Sequence, residues 1–159
     1  MLSTTRLRFL AAAFPLVFGA TAAAAEDGYD LWLRYRPVEA QWQASYASRA
    51  TAVVEESPSP TLDAAARELR RGVYGLLAAR PGPRLVDGAI VLTVDVPVKG
   101  AGDQGYCLRS SRIGGHPVTV IAANHDTGVL YGAFALLRLI QTRSVPAHVD
   151  ICDAPAVQG

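Results

Sequence analysis

Leu62, Ala66, Leu69, Val73, Leu76 and Leu77 recur at three- and four-residue intervals. That spacing gathers them on one stripe of an α-helix. Pro81-Gly82-Pro83 stops the helix, and Asp87-Gly88 forms a turn. Ala89-Ile90-Val91-Leu92-Thr93-Val94 follows, apolar and β-branched, and reads as a buried strand. A one-stripe helix needs a partner layer, and a doubly apolar strand needs cover on both faces. The pair therefore commits the chain to helices layered on a sheet.

The rest of the chain fits that plan. Tyr29 to Tyr35 alternates as a strand, with Leu31, Leu33 and Tyr35 on one face and Trp32, Arg34 and Arg36 on the other; Pro37 ends it. Residues 38–48 read as loop or a short helical turn. Arg49 to Glu55 forms a second strand, with Ala50, Ala52 and Val54 alternating against Thr51 and Val53. The first long helix opens at Pro60 or Thr61, with Thr61 as its N-cap and Asp63 in its first turn. Arg67, Glu68, Arg70 and Arg71 lie off the apolar stripe and read as a solvated face.

Beyond a turn over 99–103, Gly105 to Ser110 and Pro117 to Ala123 are strands joined through Ile113-Gly114-Gly115-His116. The two glycines can supply the positive φ of a tight hairpin. Asn124-His125-Asp126-Thr127 leads into a second helix capped by Asp126 or Thr127. Val129, Leu130, Phe134, Leu137 and Ile140 form its stripe, widened by Leu136 and Leu139. Gly128 and Gly132, four apart, let that helix approach the sheet or a neighbour closely. Ala147 to Cys152 is a last short strand. The expected architecture is an α/β (α+β) two-layer sandwich, a mixed sheet with two amphipathic helices on one face.

The first 25 residues stand apart. Arg6 and Arg8, an apolar stretch from Phe9 to Phe18, and Ala23-Ala24-Ala25 follow the order of a secretory signal peptide cleaved after Ala25. Pro15 and Gly19 interrupt the stretch, which falls short of the roughly 20 apolar residues of a spanning helix. The expected mature domain is 26–159, secreted or periplasmic and free of the membrane. The full chain has 15 basic and 14 acidic residues; without Arg6 and Arg8 the basic count falls to 13, and the charges still nearly balance. No basic stripe supports nucleic-acid binding.

Cys107 and Cys152 sit in apolar strand-like runs, where a free cysteine packs as a small hydrophobe. In an oxidising compartment they could also pair. No Cys-x-x-Cys or His-x-His spacing accompanies them, and His116, His125 and His148 lack a metal-ligand partner. No cofactor motif is present, because Gly114-Gly115 lacks the Lys-Ser/Thr of a phosphate loop and no Gly-x-Ser-x-Gly elbow occurs. A glycosidase needs two carboxylates across the bond. The candidates are Glu55, Glu56, Asp63, Glu68, Asp95, Asp103, Asp126, Asp150 and Asp153. Most lie beside turn formers or on helix faces, so no catalytic residue is assigned. The neighbouring pair His125-Asp126 reads as a loop and a cap rather than as a polarised couple.

Three blocks carry a resemblance. Glu26-Asp27-Gly28-Tyr29-Asp30-Leu31-Trp32-Leu33-Arg34-Tyr35, Gly105-Tyr106-Cys107-Leu108-Arg109-Ser110, and Val120 through Phe134 followed by Leu136 to Thr142 resemble the N-terminal domain of family 67 glycoside hydrolases, the xylan α-glucuronidases. The resemblance implies a two-layer α/β sandwich that precedes a (β/α)8 barrel. It implies an activity that removes 4-O-methyl-glucuronic acid from xylo-oligosaccharides with inversion, and an acid–base pair carried on the barrel. Asp153 to Gly159 shows no barrel sequence, so the expectation is an accessory domain without catalysis of its own, packing on a separate barrel. Under that expectation, the face meant for the barrel would promote self-association. The alternative expectation is a stand-alone carbohydrate-binding or docking module, with Trp32, Trp42 and Tyr106 available for stacking on sugars.

Overall fold

The computed structural model describes residues 35–94, 97–99 and 102–154. The signal-peptide reading over 1–25, the strand from Tyr29 and the side chain of Trp32 lie outside the described residues. Within them the order is α1 (Ala40–Ala47), β1 (Ala52–Glu55), α2 (Pro60–Leu77), β2 (Ala89–Thr93), β3 (Tyr106–Ile113), β4 (His116–Ala123), α3 (Asp126–Gln141) and β5 (Asp150–Asp153). The uncertain segment 38–48 is thus mostly helix, and the second and last expected strands are shorter than the sequence suggested.

The five strands form one sheet in the order β1-β2-β4-β3-β5. β1, β2 and β4 run parallel, while β3 runs antiparallel to both β4 and β5. The mixed pattern follows from the connections. A helix can carry the chain back to start a parallel strand, whereas a two-residue loop forces an antiparallel one. Gly114 and Gly115 close the β3–β4 hairpin with φ of +58° and +87°, the conformation that a two-residue turn of this hand requires.

One face of the sheet carries the helices. Val53, Ile90, Leu92, Leu108, Ile121 and Ala123 pack there with Leu62, Leu69, Val73 and Leu76 of α2 and Val129, Ala133, Leu136, Leu137 and Ile140 of α3. The predicted stripe of α2 is buried throughout. The other face holds smaller residues: Ala52, Ala89, Val91 and Val118, with Val98, Cys107 and Ala122 beside them. Alternation in β1 therefore splits Val53 from Ala52 and Val54, and both sides are buried. Ala50 precedes the strand and belongs to the helix-side core.

Local chemistry at the helix ends departs from the sequence reading in three places. Ser59, not Thr61, caps α2: its hydroxyl accepts the Leu62 N–H at 3.1 Å, and Pro60 takes the first helical position, where its missing N–H costs nothing. α2 ends at Leu77, before the prolines, because Ala78 turns left-handed with φ 53° and its N–H donates to the Tyr74 carbonyl. His125, not Asp126 or Thr127, holds the cap position of α3. Asp126 is the first residue of that helix, and its carboxylate accepts from the Ser59 hydroxyl, tying the starts of α2 and α3 together.

The polar side of α2 is not uniformly solvated. Glu68 is buried and accepts from the Tyr35 hydroxyl. Arg70 donates to the Val53 carbonyl at 2.9 Å and pairs with Glu55 at 3.6 Å. Only the far ends of these side chains are polar, so their stems can cover the sheet edge while the heads find partners.

Gly128 and Gly132 do what their spacing suggests. A Cβ at 128 would fall on the Gly105 carbonyl and lie 2.7 Å from the Ala123 Cβ; one at 132 would lie 2.5 Å from Ile121 Cγ2. Their absence lets α3 settle directly on β4 and the start of β3. Cys107 and Cys152 stand opposite each other in the β3–β5 pairing and form a disulfide. The reading of two free, packed thiols is corrected: strand register brings together cysteines 45 residues apart.

Candidate functional site

The sheet is wider than the helices that cover it. α2 seats on β1 and α3 on β4 and β3, while β5 gains no comparable helix contact. α2 and α3 pack side by side over the middle, and β5 is left beyond the outer flank of α3. The result is a cleft of about 670 Å³ between α3 and the β3–β5 ribbon. Its floor comes from alternate residues of paired strands, Tyr106 opposite Asp153 and Leu108 opposite Ile151. Its wall comes from one stripe of α3, Tyr131, Phe134, Ala135, Arg138 and Leu139, at the three- and four-residue spacing of a helix face. The Cys107–Cys152 disulfide lies under this floor, on the opposite face of the ribbon, and fixes β5 to β3.

Phe134 was expected in the core stripe. It is only half-buried, because the core of α3 is centred on Val129, Ala133, Leu136, Leu137 and Ile140, and Phe134 turns toward the uncovered strand. Tyr131 is 43% exposed, among the few large hydrophobic side chains on the surface. Arg138 lies in the last turn of α3, where the helix dipole favours a cation. The Tyr106 hydroxyl stands 3.4 Å from Asp153 Oδ2. Burial, and then the Asp153 charge, raise the Tyr106 pKa, while Arg138 opposes the shift. The phenol therefore stays a neutral donor at physiological pH.

The candidate carboxylates are dispersed. Asp103 pairs with His125 at 3.3 Å, Asp150 with Arg109 at 3.5 Å, and Asp126 with Ser59. Glu56 is exposed, and Asp95 lies outside the described residues. His125 thus faces Asp103 rather than its neighbour Asp126, and His116 pairs with Asp87 at 2.6 Å. Glu55 and Asp63 do meet, at the end of β1 and the first turn of α2. Burial and the hydrogen bond and charge of Asp63 hold the Glu55 carboxyl above its ordinary range, and Arg70 only partly offsets this. Two acids in contact cannot bracket a sugar bond. The inverting geometry needs about 6.5–9.5 Å between them to admit a water, and the retaining one about 5 Å. The cleft beside α3 contains a single carboxylate, Asp153.

Of the three aromatic residues singled out in the sequence, Tyr106 lies in the cleft. Trp42 does not: it packs against Tyr46, ring centroids 5.5 Å apart, at the edge of the core. Sequence reasoning missed Tyr131 and Arg138, and named Asp153 only as one of nine dispersed carboxylates. The available signal was the spacing of Tyr131, Phe134 and Arg138, which share a face of α3 distinct from the core stripe. Among the described residues no group of three His, Cys, Asp or Glu side chains could hold a metal ion. No described helix is long and apolar enough to cross a membrane.

Comparison with known proteins agrees with this architecture. Residues 31–136 match the family described as glycosyl hydrolase family 67 N-terminus. The chain is 29% identical over 135 residues to a probable alpha-glucuronidase A of Aspergillus niger, and 28% identical over 135 residues to alpha-glucuronidase A of Aspergillus tubingensis. Each match covers 76% of this chain and 16% of the relative, so the chain spans about a sixth of the length of these relatives. The match runs from before α1 to Leu136 in α3 and takes in four of the five strands, and on that extent the chain belongs to the glycosyl hydrolase family 67 N-terminus family.

Proposed function

We propose that the domain serves as an accessory, non-catalytic part of an α-glucuronidase system that removes (4-O-methyl)glucuronic acid from xylo-oligosaccharides, and that it packs on a catalytic barrel. The observation that carries this reading is the family match, joined to relatives named as alpha-glucuronidases. The carboxylate placement supports the non-catalytic part: the two candidate acids that meet, Glu55 and Asp63, are in contact rather than set apart across a sugar, and the main cleft holds one carboxylate. The test is incubation of the purified chain with aldouronic acids, reading free uronic acid by chromatography. No release above a protein-free control is expected, and turnover proportional to protein concentration would refute the reading.

Export is part of the same proposal. Disulfides persist in oxidising compartments and are rare in the cytosol, so the Cys107–Cys152 bond supports the secretory reading of Met1 to Ala25. Mass spectrometry of the protein recovered outside the cytoplasm should give an N-terminus at Glu26. Recovery of the intact chain in the cytosol with both thiols free would overturn it.

A further inference from the structure

We infer that the cleft between α3 and the β3–β5 ribbon is a binding site for a uronic-acid-bearing oligosaccharide, with Arg138 pairing with the sugar carboxylate. The choice of sugar acid rests on the accessory-domain reading above; the site itself rests on geometry. A volume of about 670 Å³ lies within the range of pockets that take a small ligand. Tyr106, Tyr131 and Phe134 offer apolar ring faces on both the floor and the wall. A pyranose ring presents C–H groups on its faces and hydroxyls at its rim, so it stacks on such surfaces and hydrogen-bonds sideways.

The polar groups are placed for that rim. Asp153 accepts, while Thr142 and Ser144 lie at the end of the cleft where α3 stops. The Tyr106 phenol, held protonated by burial and by Asp153, is a donor. Arg138 supplies the charge selectivity. No carboxylate of the described residues forms an ion pair with it, in contrast to Arg70, Arg109 and Arg143, each of which has one. A guanidinium binds a carboxylate through two parallel hydrogen bonds. An unpaired arginine beside aromatic faces therefore favours an acidic sugar over a neutral one.

β5 completes the site, and the disulfide keeps it there. Ile151 and Asp153 flank Cys152 and face the cleft, so the covalent link to Cys107 holds both cleft residues against Tyr106 and Leu108. Without that bond a four-residue edge strand would have only one partner to hold it.

The test is calorimetric and NMR titration of the whole chain with xylotriose bearing 4-O-methylglucuronic acid, against neutral xylotetraose. The acidic sugar is expected to bind at least about 10-fold more tightly, a difference of about 1.4 kcal/mol, with shift changes confined to α3, β3 and β5. Arg138→Gln should bring the two sugars to equal affinity. Tyr131→Ala, at an exposed position that folding does not need, should weaken both. Equal binding of the two sugars by the wild type, no binding of either up to millimolar concentration, or self-association that buries the cleft while sugar stays unbound would overturn the inference. Failure here with no hydrolysis in the aldouronic-acid assay leaves the accessory reading standing. Turnover with binding would refute the non-catalytic reading and keep the site.

Discussion

Replacing Gly128 by alanine separates two opposed effects of glycine in a helix. In isolation the change should help, because glycine inside a helix costs about 0.5–1 kcal/mol relative to alanine. In this fold the added methyl would be driven into the Gly105 carbonyl and would lie 2.7 Å from the Ala123 Cβ. Neither obstacle can rotate away, since one is backbone and the other is a Cβ fixed to buried β4. Overpacking of this sort costs about 1–3 kcal/mol, so it outweighs the propensity gain, and Gly128→Ala should lose about 1–2 kcal/mol net. At roughly 4 °C per kcal/mol for a chain of this size, the midpoint should fall by roughly 4–8 °C. Gly132→Ala meets Ile121 Cγ2 at 2.5 Å and Tyr106 atoms at 3.3 Å. Those are side chains, one of them stiff and β-branched, so the loss should be smaller. Gly72→Ala in α2 meets the methyl ends of Leu137 at 2.5 and 2.7 Å. A leucine can change rotamer, and the helical gain then nearly balances the crowding. The expected order of damage is Gly128, Gly132, Gly72, read by thermal and urea unfolding followed by circular dichroism. A Gly128→Ala protein as stable as wild type, or Gly72→Ala as the worst of the three, would refute the idea that α3 is seated directly on the backbone.

Other outcomes follow from features already described. Cys107→Ser with Cys152→Ser should destabilise the fold by about 4 kcal/mol, the chain-entropy value for a loop closed over 45 residues; urea unfolding in the presence and absence of reductant measures it. Glu55 has a raised folded-state pKa, so its contribution to stability is present at low pH and lost as pH rises through that value. Glu55→Gln should therefore gain on wild type as pH goes from about 4 to 7, and a pH-independent difference in urea midpoints would count against the burial of that carboxyl. Ser59→Ala removes the cap of α2 and the partner of Asp126 and should cost about 1 kcal/mol or somewhat more, measured in the same way.

The sequence made some elements plain and hid others for identifiable reasons. The α2 stripe, the β2 run and the Gly114-Gly115 hairpin are local patterns, and each appears where the pattern places it. The helix opens at Pro60, one of the two expected starts, but its cap was placed two residues late because Thr61 with Asp63 imitates a cap, whereas Ser59-Pro60 is the stronger arrangement once Pro60 is placed first in the helix. Glu68 looked solvated because its partner, Tyr35, is 33 residues away. The disulfide was hidden for the same reason: it depends on which strand β5 joins and in which register. The cleft was legible only in part. Tyr106 is recognisable as an aromatic on a strand, but the rotation of Phe134 and Tyr131 away from the core depends on β5 standing outside the cover of α3. That follows from strand order and not from any periodicity within α3.

Among the described strands β5 is outermost next to β3, and a terminal strand offers unbonded amides and carbonyls to any passing chain. This one is short and carries an aspartate at each end, Asp150 and Asp153, both exposed. An intruding strand would gain few rungs of hydrogen bonding and would have to run past two negative charges. Fibril growth by stacking onto this margin is therefore disfavoured by the same short strand that supplies Ile151 and Asp153 to the floor of the cleft.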